Sequence, residues 1–223
     1  AMLARVALLI SFPLEMTRWV SPAPLLSAKS PNFIDGLGIT FGTSTNGLDA
    51  LSGASLLDQV KTGISQGKTA TETLSSLDGP LSWLTGLTPG SLGETSALLI
   101  ALGGLWLIYR SIITWHAPLA MLLTVAALAG LFHALNPDRY LGIMEHLLSG
   151  GLMLGAFFII TDPVTSPSTI RGQLLFGFGC GFLTYVIRTW GAFPEGVAFA
   201  VLIMNAVTPL IDYYLRPRLY GYT

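Results

Sequence analysis

Ala117-Pro118-Leu119-Ala120-Met121-Leu122-Leu123-Thr124-Val125-Ala126-Ala127-Leu128-Ala129-Gly130-Leu131-Phe132-His133-Ala134-Leu135 contains no Asp, Glu, Lys or Arg. As an α-helix rising 1.5 Å per residue it is about 30 Å long, the thickness of a bilayer's hydrocarbon core. Five further apolar stretches of similar or smaller length accompany it, at about 2–19, 95–113, 146–160, 173–190 and 196–215. Hydrophobic residues make up 52% of the 223-residue chain and charged residues 10%, where a soluble domain carries about 25% charged. The expected fold class is an all-α integral membrane protein, a polytopic helical bundle of about six spans.

The connection 20–94 is the one long polar stretch, rich in Ser, Thr, Gly and Pro. A loop of that length is usually functional or disordered. Short helices are expected near 56–64 and 69–77, with Asp49 or Ser52 capping the first. The organisation is therefore a membrane helix at 1–19, an extracytoplasmic loop at 20–94, a bundle of five membrane helices over 95–215, and a tail at 216–223. The fourth apolar segment is short and Gly-rich and reads as a broken or tilted helix. Ala1-Met2-Leu3-Ala4-Arg5 leads straight into apolar residues, with no basic n-region and no cleavage site after them. An upstream part of a longer polypeptide is expected.

Several function classes drop out. A net charge of -1 and the lack of a basic stripe give no argument for nucleic acid. Cys180 is the single cysteine, so an intrachain disulfide is excluded, and its apolar, glycine-containing surroundings suggest a packed small residue. His116, His133 and His146 share no close ligand spacing, so no metal centre is expected. No phosphate loop with its lysine and no nucleophile elbow occurs, and no residue is assigned a catalytic role. Glu145 and His146 read as an interface pair, and Trp83, Trp106, Trp115 and Trp190 as an interfacial aromatic belt.

Basic residues orient the chain. Arg216 and Arg218 place the C-terminus in the cytoplasm. Arg171, Arg110 and His116 then fall on the same side, and Arg5 begins the first segment there too. The long loop lies outside, with Arg139 and Arg188 as exceptions at outer ends.

Within the spans, Gly150-Gly151-Leu152-Met153-Leu154-Gly155-Ala156-Phe157-Phe158 allows close helix contact or the approach of a flat ring. Asp162 precedes Pro163 and ends that helix, either as a solvated end or as a carboxylate that attracts a cation. Asn205 is an amide in an apolar helix that Pro209 bends, freeing carbonyls. Asp212 stands one turn before Arg216, which suggests an ion pair. Asp162, Asn205 and Asp212 are the candidate ion path.

Leu9-Ile10-Ser11-Phe12-Pro13, Gly151-Leu152-Met153-Leu154-Gly155-Ala156-Phe157-Phe158, Thr161-Asp162-Pro163-Val164-Thr165, Gly196-Val197-Ala198-Phe199-Ala200-Val201-Leu202, Pro209-Leu210-Ile211-Asp212-Tyr213-Tyr214 and Arg216-Pro217-Arg218-Leu219-Tyr220-Gly221 together resemble one family. It comprises the D subunits of Rnf/Rsx electron-transport complexes and the B subunits of sodium-pumping NADH:quinone oxidoreductases. The resemblance covers nearly the whole chain and corresponds to the C-terminal two thirds of such a subunit. It implies a urea-transporter-like bundle of two inverted halves, with the first part missing here.

The resemblance also implies a cofactor. Asp49-Ala50-Leu51-Ser52-Gly53-Ala54-Ser55 resembles the family's Asp-x-x-Ser/Thr-x-Ala-Thr motif, where a flavinyl transferase joins FMN through its phosphate to the last hydroxyl. That position is Ser55, framed by Asp49, Ser52, Gly53 and Ala54; a serine keeps the hydroxyl chemistry and lacks the methyl group. A second, noncovalent flavin, riboflavin, is implied too, with 150–158 as a candidate wall. The implied function is electron relay within a ferredoxin:NAD oxidoreductase complex coupled to Na+ or H+ translocation. The subunit would be part of a translocase and not catalytic alone, or would serve a homologous system that keeps a redox regulator reduced. Its partners would be other membrane subunits and flavin or iron–sulfur subunits. Its place would be the bacterial cell inner membrane, with a periplasmic loop and a cytoplasmic C-terminus. The alternative is a passive channel or small-solute transporter of urea-transporter-like fold, which has no reason to carry a flavin motif.

Overall fold

A computed structural model describes residues 2–12, 19–20, 52–53, 56–75, 79–85, 96–193 and 195–215. The order is α1 (Met2–Ser11), β1 (Trp19–Val20), β2 (Ser52–Gly53), α2 (Leu56–Ser65), α3 (Ala70–Ser75), α4 (Pro80–Thr85), α5 (Ala97–Tyr109), α6 (His116–Leu135), α7 (Ile143–Leu148) and α8 (Leu152–Leu154). A π-helical turn (Gly155–Ile159) continues α8, and α9 (Ile170–Trp190) and α10 (Val197–Tyr214) follow. The two short strands pair antiparallel, with Trp19 opposite Gly53 and Val20 opposite Ser52.

The protein is an all-α polytopic membrane protein. Helices α6, α9 and α10 are long and apolar enough to cross a membrane, while α1 and α5 are apolar but shorter. Leu102, Leu105, Leu123, Leu131, Phe178 and Phe182 point outward, as apolar side chains of a bundle do when lipid replaces water outside them. The core lies between α6, α9, α10 and the π-turn, around Met121, Val125, Ala156, Phe176, Cys180 and Val201. Cys180 is fully buried there, the packed small residue its surroundings suggested.

Glycines set how closely α9 approaches α6. A methyl group on Gly181 would stand 2.7 Å from the carbonyl oxygen of Met121, and one on Gly177 2.9 Å from the Cβ of Ala120. The four-residue spacing puts both on one face, so the helix backbones meet directly. Gly179 faces the Met204 thioether on α10 from another side of α9. The ends are capped locally: Leu99 N donates to Ser96 Oγ at α5, and Gly172 N to Thr169 Oγ1 at α9.

Three expectations change. Helix α1 ends at Ser11, short of the expected boundary near Trp19, and 13–18 lie outside the described residues. Pro13 lacks an N–H and disfavours helix in the residue before it, and Trp19 lies in a strand. Ser52 is in β2 and α2 begins at Leu56, so Ser52 does not adjoin the helix as a cap, while Asp49 lies outside the described residues. Trp83 is only 5% exposed, held inside rather than in an interfacial belt; Trp106, Trp115 and Trp190 are each more than half exposed.

Candidate functional site

The two ends of the bundle differ chemically. One end holds Arg110, His116, Asp162, Arg171 and Asp212, where Thr114 Oγ1 donates to Gln173 Oε1 at 2.9 Å. At this end a cleft of about 560 Å³ opens between α1, α5, the π-turn and α10, lined by Met2, Leu107, Phe157, Phe158, Asp162 and Asn205 among others. The structure thus brings Asp162 and Asn205 to one cavity, beside the end of the 150–158 run.

The π-turn shapes this wall. Ile160 N donates to Gly155 O at 3.0 Å, five residues back, and Thr161 Oγ1 donates to Phe157 O at 2.7 Å. Such turns widen a helix locally and occur often at functional sites. Asn205 keeps its Oδ1 buried with no hydrogen-bond partner among the described residues. Pro209, four residues on, has no N–H to give the Asn205 carbonyl. Asn205 thus combines an amide oxygen unpartnered among the described residues with a backbone oxygen that lacks its usual i+4 donor.

Asp162 has local work as well. Its carboxylate accepts from Val164 N at 3.2 Å and Thr165 Oγ1 at 3.4 Å, closing the turn after the helix. Asp212 stays apart from the cleft lining and accepts from Ser168 N at 3.1 Å and Ser168 Oγ at 3.3 Å, tying the entry to α9 to the end of α10. Arg216, its expected partner, lies outside the described residues.

The opposite end holds a network that local sequence patterns do not announce. Arg188 is buried; its Nη1 donates to His146 O at 2.8 Å and its Nη2 to Ser149 O at 3.2 Å. Glu195 stands 3.9 Å from Arg188 and 3.7 Å from Arg5, and accepts from Gly151 N. The fourth segment is indeed broken here, and these charged groups serve the backbone that the break exposes. Gly150 turns the chain with φ +65, a left-handed conformation that suits glycine, and a side chain there would run into Glu195.

Two expectations are corrected at this end. His146 is buried, with the Tyr185 ring 5.2 Å away centre to centre, so it is a packed residue and not an interface partner of Glu145. Arg5 sits with Glu195 and Arg188, away from the Arg171 end, so it does not mark the same side as Arg171.

The flavin-motif residues fare differently. Asp49, Ala54 and Ser55 lie outside the described residues, and Ser52 and Gly53 form β2 against Trp19–Val20. Nearby α2 carries Lys61, whose Nζ donates to Arg188 O at 3.2 Å, Phe193 O at 3.0 Å and Gly191 O. Burial pulls the Lys61 ammonium below its ordinary pKa of 10.5, with Asp58 opposing.

These features define a multispanning membrane protein with an interrupted segment beside a proline-bearing helix, and a polar connection docked on one end. The chain belongs to the NQR2, RnfD, RnfE family, whose model matches residues 1–221. It is 54% identical over its whole length to the D subunit of the ion-translocating oxidoreductase complex of Halorhodospira halophila, covering 62% of that protein. It is 54% identical over 99% of its length to the corresponding D subunit of Stutzerimonas stutzeri, again covering 62%. The Escherichia coli D subunit is 42% identical over the full chain, which covers 64% of it. The chain thus spans less than two thirds of the length of these relatives.

Proposed function

We propose that the chain is part of a flavin-carrying membrane subunit that relays electrons within an ion-translocating oxidoreductase complex. The observation that carries this reading is the family match over 1–221, in a chain that holds the heptapeptide ending at Ser55. The Ser55 hydroxyl is the acceptor for an FMN phosphoester, formed by a flavinyl transferase. Ser55 directly precedes Leu56, the first residue of α2. First-turn N–H groups and the helix dipole favour a phosphate at such a position. FMN supplies the redox chemistry when bound; the chain supplies attachment, position and surroundings.

The cleft at the Asp162 end fits two further parts of this reading. Phe157 and Phe158 offer apolar wall, and Asn205 Oδ1 can accept an N–H from a flat ring such as riboflavin. The same oxygen, with Asp162 nearby, can attract a sodium ion or a proton carrier. Complex partners would include other membrane subunits and flavin or iron–sulfur subunits in a bacterial inner membrane. The 20–94 loop would be periplasmic and the C-terminus cytoplasmic.

Fragment mass analysis around Ser55, on the subunit purified within its complex, tests the attachment. An FMN adduct on Ser55 is expected; an unmodified Ser55 with flavin attached elsewhere overturns it. Gln66→Cys, at an exposed site beyond α2, tests topology by impermeant thiol labelling from outside, since the native Cys180 is buried. Labelling only from the cytoplasmic side would reverse the orientation.

A further inference from the structure

Helix α2 belongs to the polar connection, yet Lys61 reaches from it to the far end of α9. An ammonium has three N–H donors, and Lys61 Nζ has three carbonyl acceptors: Arg188 O, Gly191 O and Phe193 O. The last carbonyls of a helix lack internal partners and carry the negative end of its dipole, so a cation there is favoured. Leu57 and Val60 of the same helix are buried with Ala70 and Leu141, which fixes α2 to the connection between α6 and α7. Ala70 N donates to Asp138 O at 2.8 Å and strengthens that attachment. Apolar contacts and Lys61 thus hold α2 to different parts of the bundle, which determines its direction as well as its place. Ser55 lies six residues before Lys61 in sequence.

We propose that Lys61 is a positioning residue for the flavin. Its ammonium docks α2, and with it the peptide bearing Ser55, on the C-terminal end of α9. This sets the separation across which an electron leaves the flavin and reaches the next redox group of the complex, or the reverse. No bond to Lys61 forms or breaks. The inference rests on the attachment of FMN to Ser55.

The test uses the full-length subunit within its complex, with Lys61→Met and Lys61→Arg variants. In-gel fluorescence of the denatured subunit reports attached flavin. Rapid-mixing absorbance reports flavin reduction with NADH as reductant, and a redox titration reports the flavin potential. Lys61→Met is expected to keep wild-type flavin content and potential but to slow reduction by about tenfold or more, as small misplacements do in reacting systems. Lys61→Arg keeps a cation at the helix end and is expected to recover most of the rate. A Lys61→Met rate equal to wild type, or a Lys61→Arg rate as slow as Lys61→Met, overturns the proposal. So does failure of Lys61→Met to assemble, which would make the residue a determinant of folding. Absence of flavin from Ser55 in the wild-type band is a separate result: it overturns the attachment, and this inference falls with it.

Discussion

Arg188 Nη1 donates to the carbonyl of His146 at 2.8 Å, joining the end of α9 to the helix that precedes the break in the fourth segment. The guanidinium also serves Ser149 O and stands near Glu195. Arg188→Met would leave those carbonyls and the Glu195 charge without this partner. Removing one member of a buried charged group costs about 3–5 kcal/mol. Arg188→Lys should recover only part of this, since an ammonium lacks the planar fork. Thermal unfolding of the detergent-solubilised protein reads the difference; a wild-type midpoint for Arg188→Met would show that the network contributes nothing.

Gly181→Ala should destabilise the protein. The new methyl group would lie 2.7 Å from Met121 O, a backbone atom that cannot swing aside. Overpacking of this kind costs about 1–3 kcal/mol. Gly103→Ala is the control, because its methyl group would meet only the Phe158 ring at 3.4 Å. The same unfolding assay should leave Gly103→Ala near wild type, and an equal loss for both would place the effect outside the α6–α9 contact.

Ser55→Ala should abolish the fluorescence of the denatured band, and Ser55→Thr should preserve it. Serine and threonine both carry the hydroxyl that a phosphoester needs. Covalent flavin that persists in Ser55→Ala would refute the attachment.

Asp162→Asn should lower ion uptake per electron severalfold in membrane vesicles while flavin content stays at the wild-type level. Asparagine keeps one oxygen for Val164 N, and its amide nitrogen can donate to the Thr165 hydroxyl where the carboxylate accepted from it, so the turn survives while the charge is lost. Unchanged uptake per electron removes Asp162 from the ion path, and loss of assembly assigns it to the turn.

The membrane helices were legible because their signal is local. An apolar run of about twenty residues with few charges identifies a span without knowledge of its neighbours, and α6, α9 and α10 begin and end within a few residues of expectation. The break in the fourth segment was also visible, through Gly150 and Gly151. What holds the break open was not. Arg188 lies 42 residues from His146, and nothing near either residue announces the other. Separation in sequence also hid Lys61, whose carbonyl acceptors lie 127 or more residues away, and misplaced Arg5 and His146, whose types suggest an interface. In the candidate site, the sequence grouped Asp162 and Asn205 with Asp212 as an ion path, yet only Asp162 and Asn205 line the cleft. Their shared cleft depends on how α10 packs beside the π-turn, which no local pattern states.

That π-turn has a further consequence. Closing a ring over five residues rather than four inserts one residue into the helical count. The end of the helix at Ile160, and the turn that leaves from it, are therefore offset by about 100° from where an uninterrupted α-helix would put them. Thr161 and Asp162 line the cleft in that shifted frame. Removing a single residue from Gly155–Ile159 would restore the ordinary count and turn them off the cavity, with charge unchanged and hydropathy nearly so. The turn works as a phase shift written into the chain, and this reading frame, as much as residue identity, determines what the cleft presents.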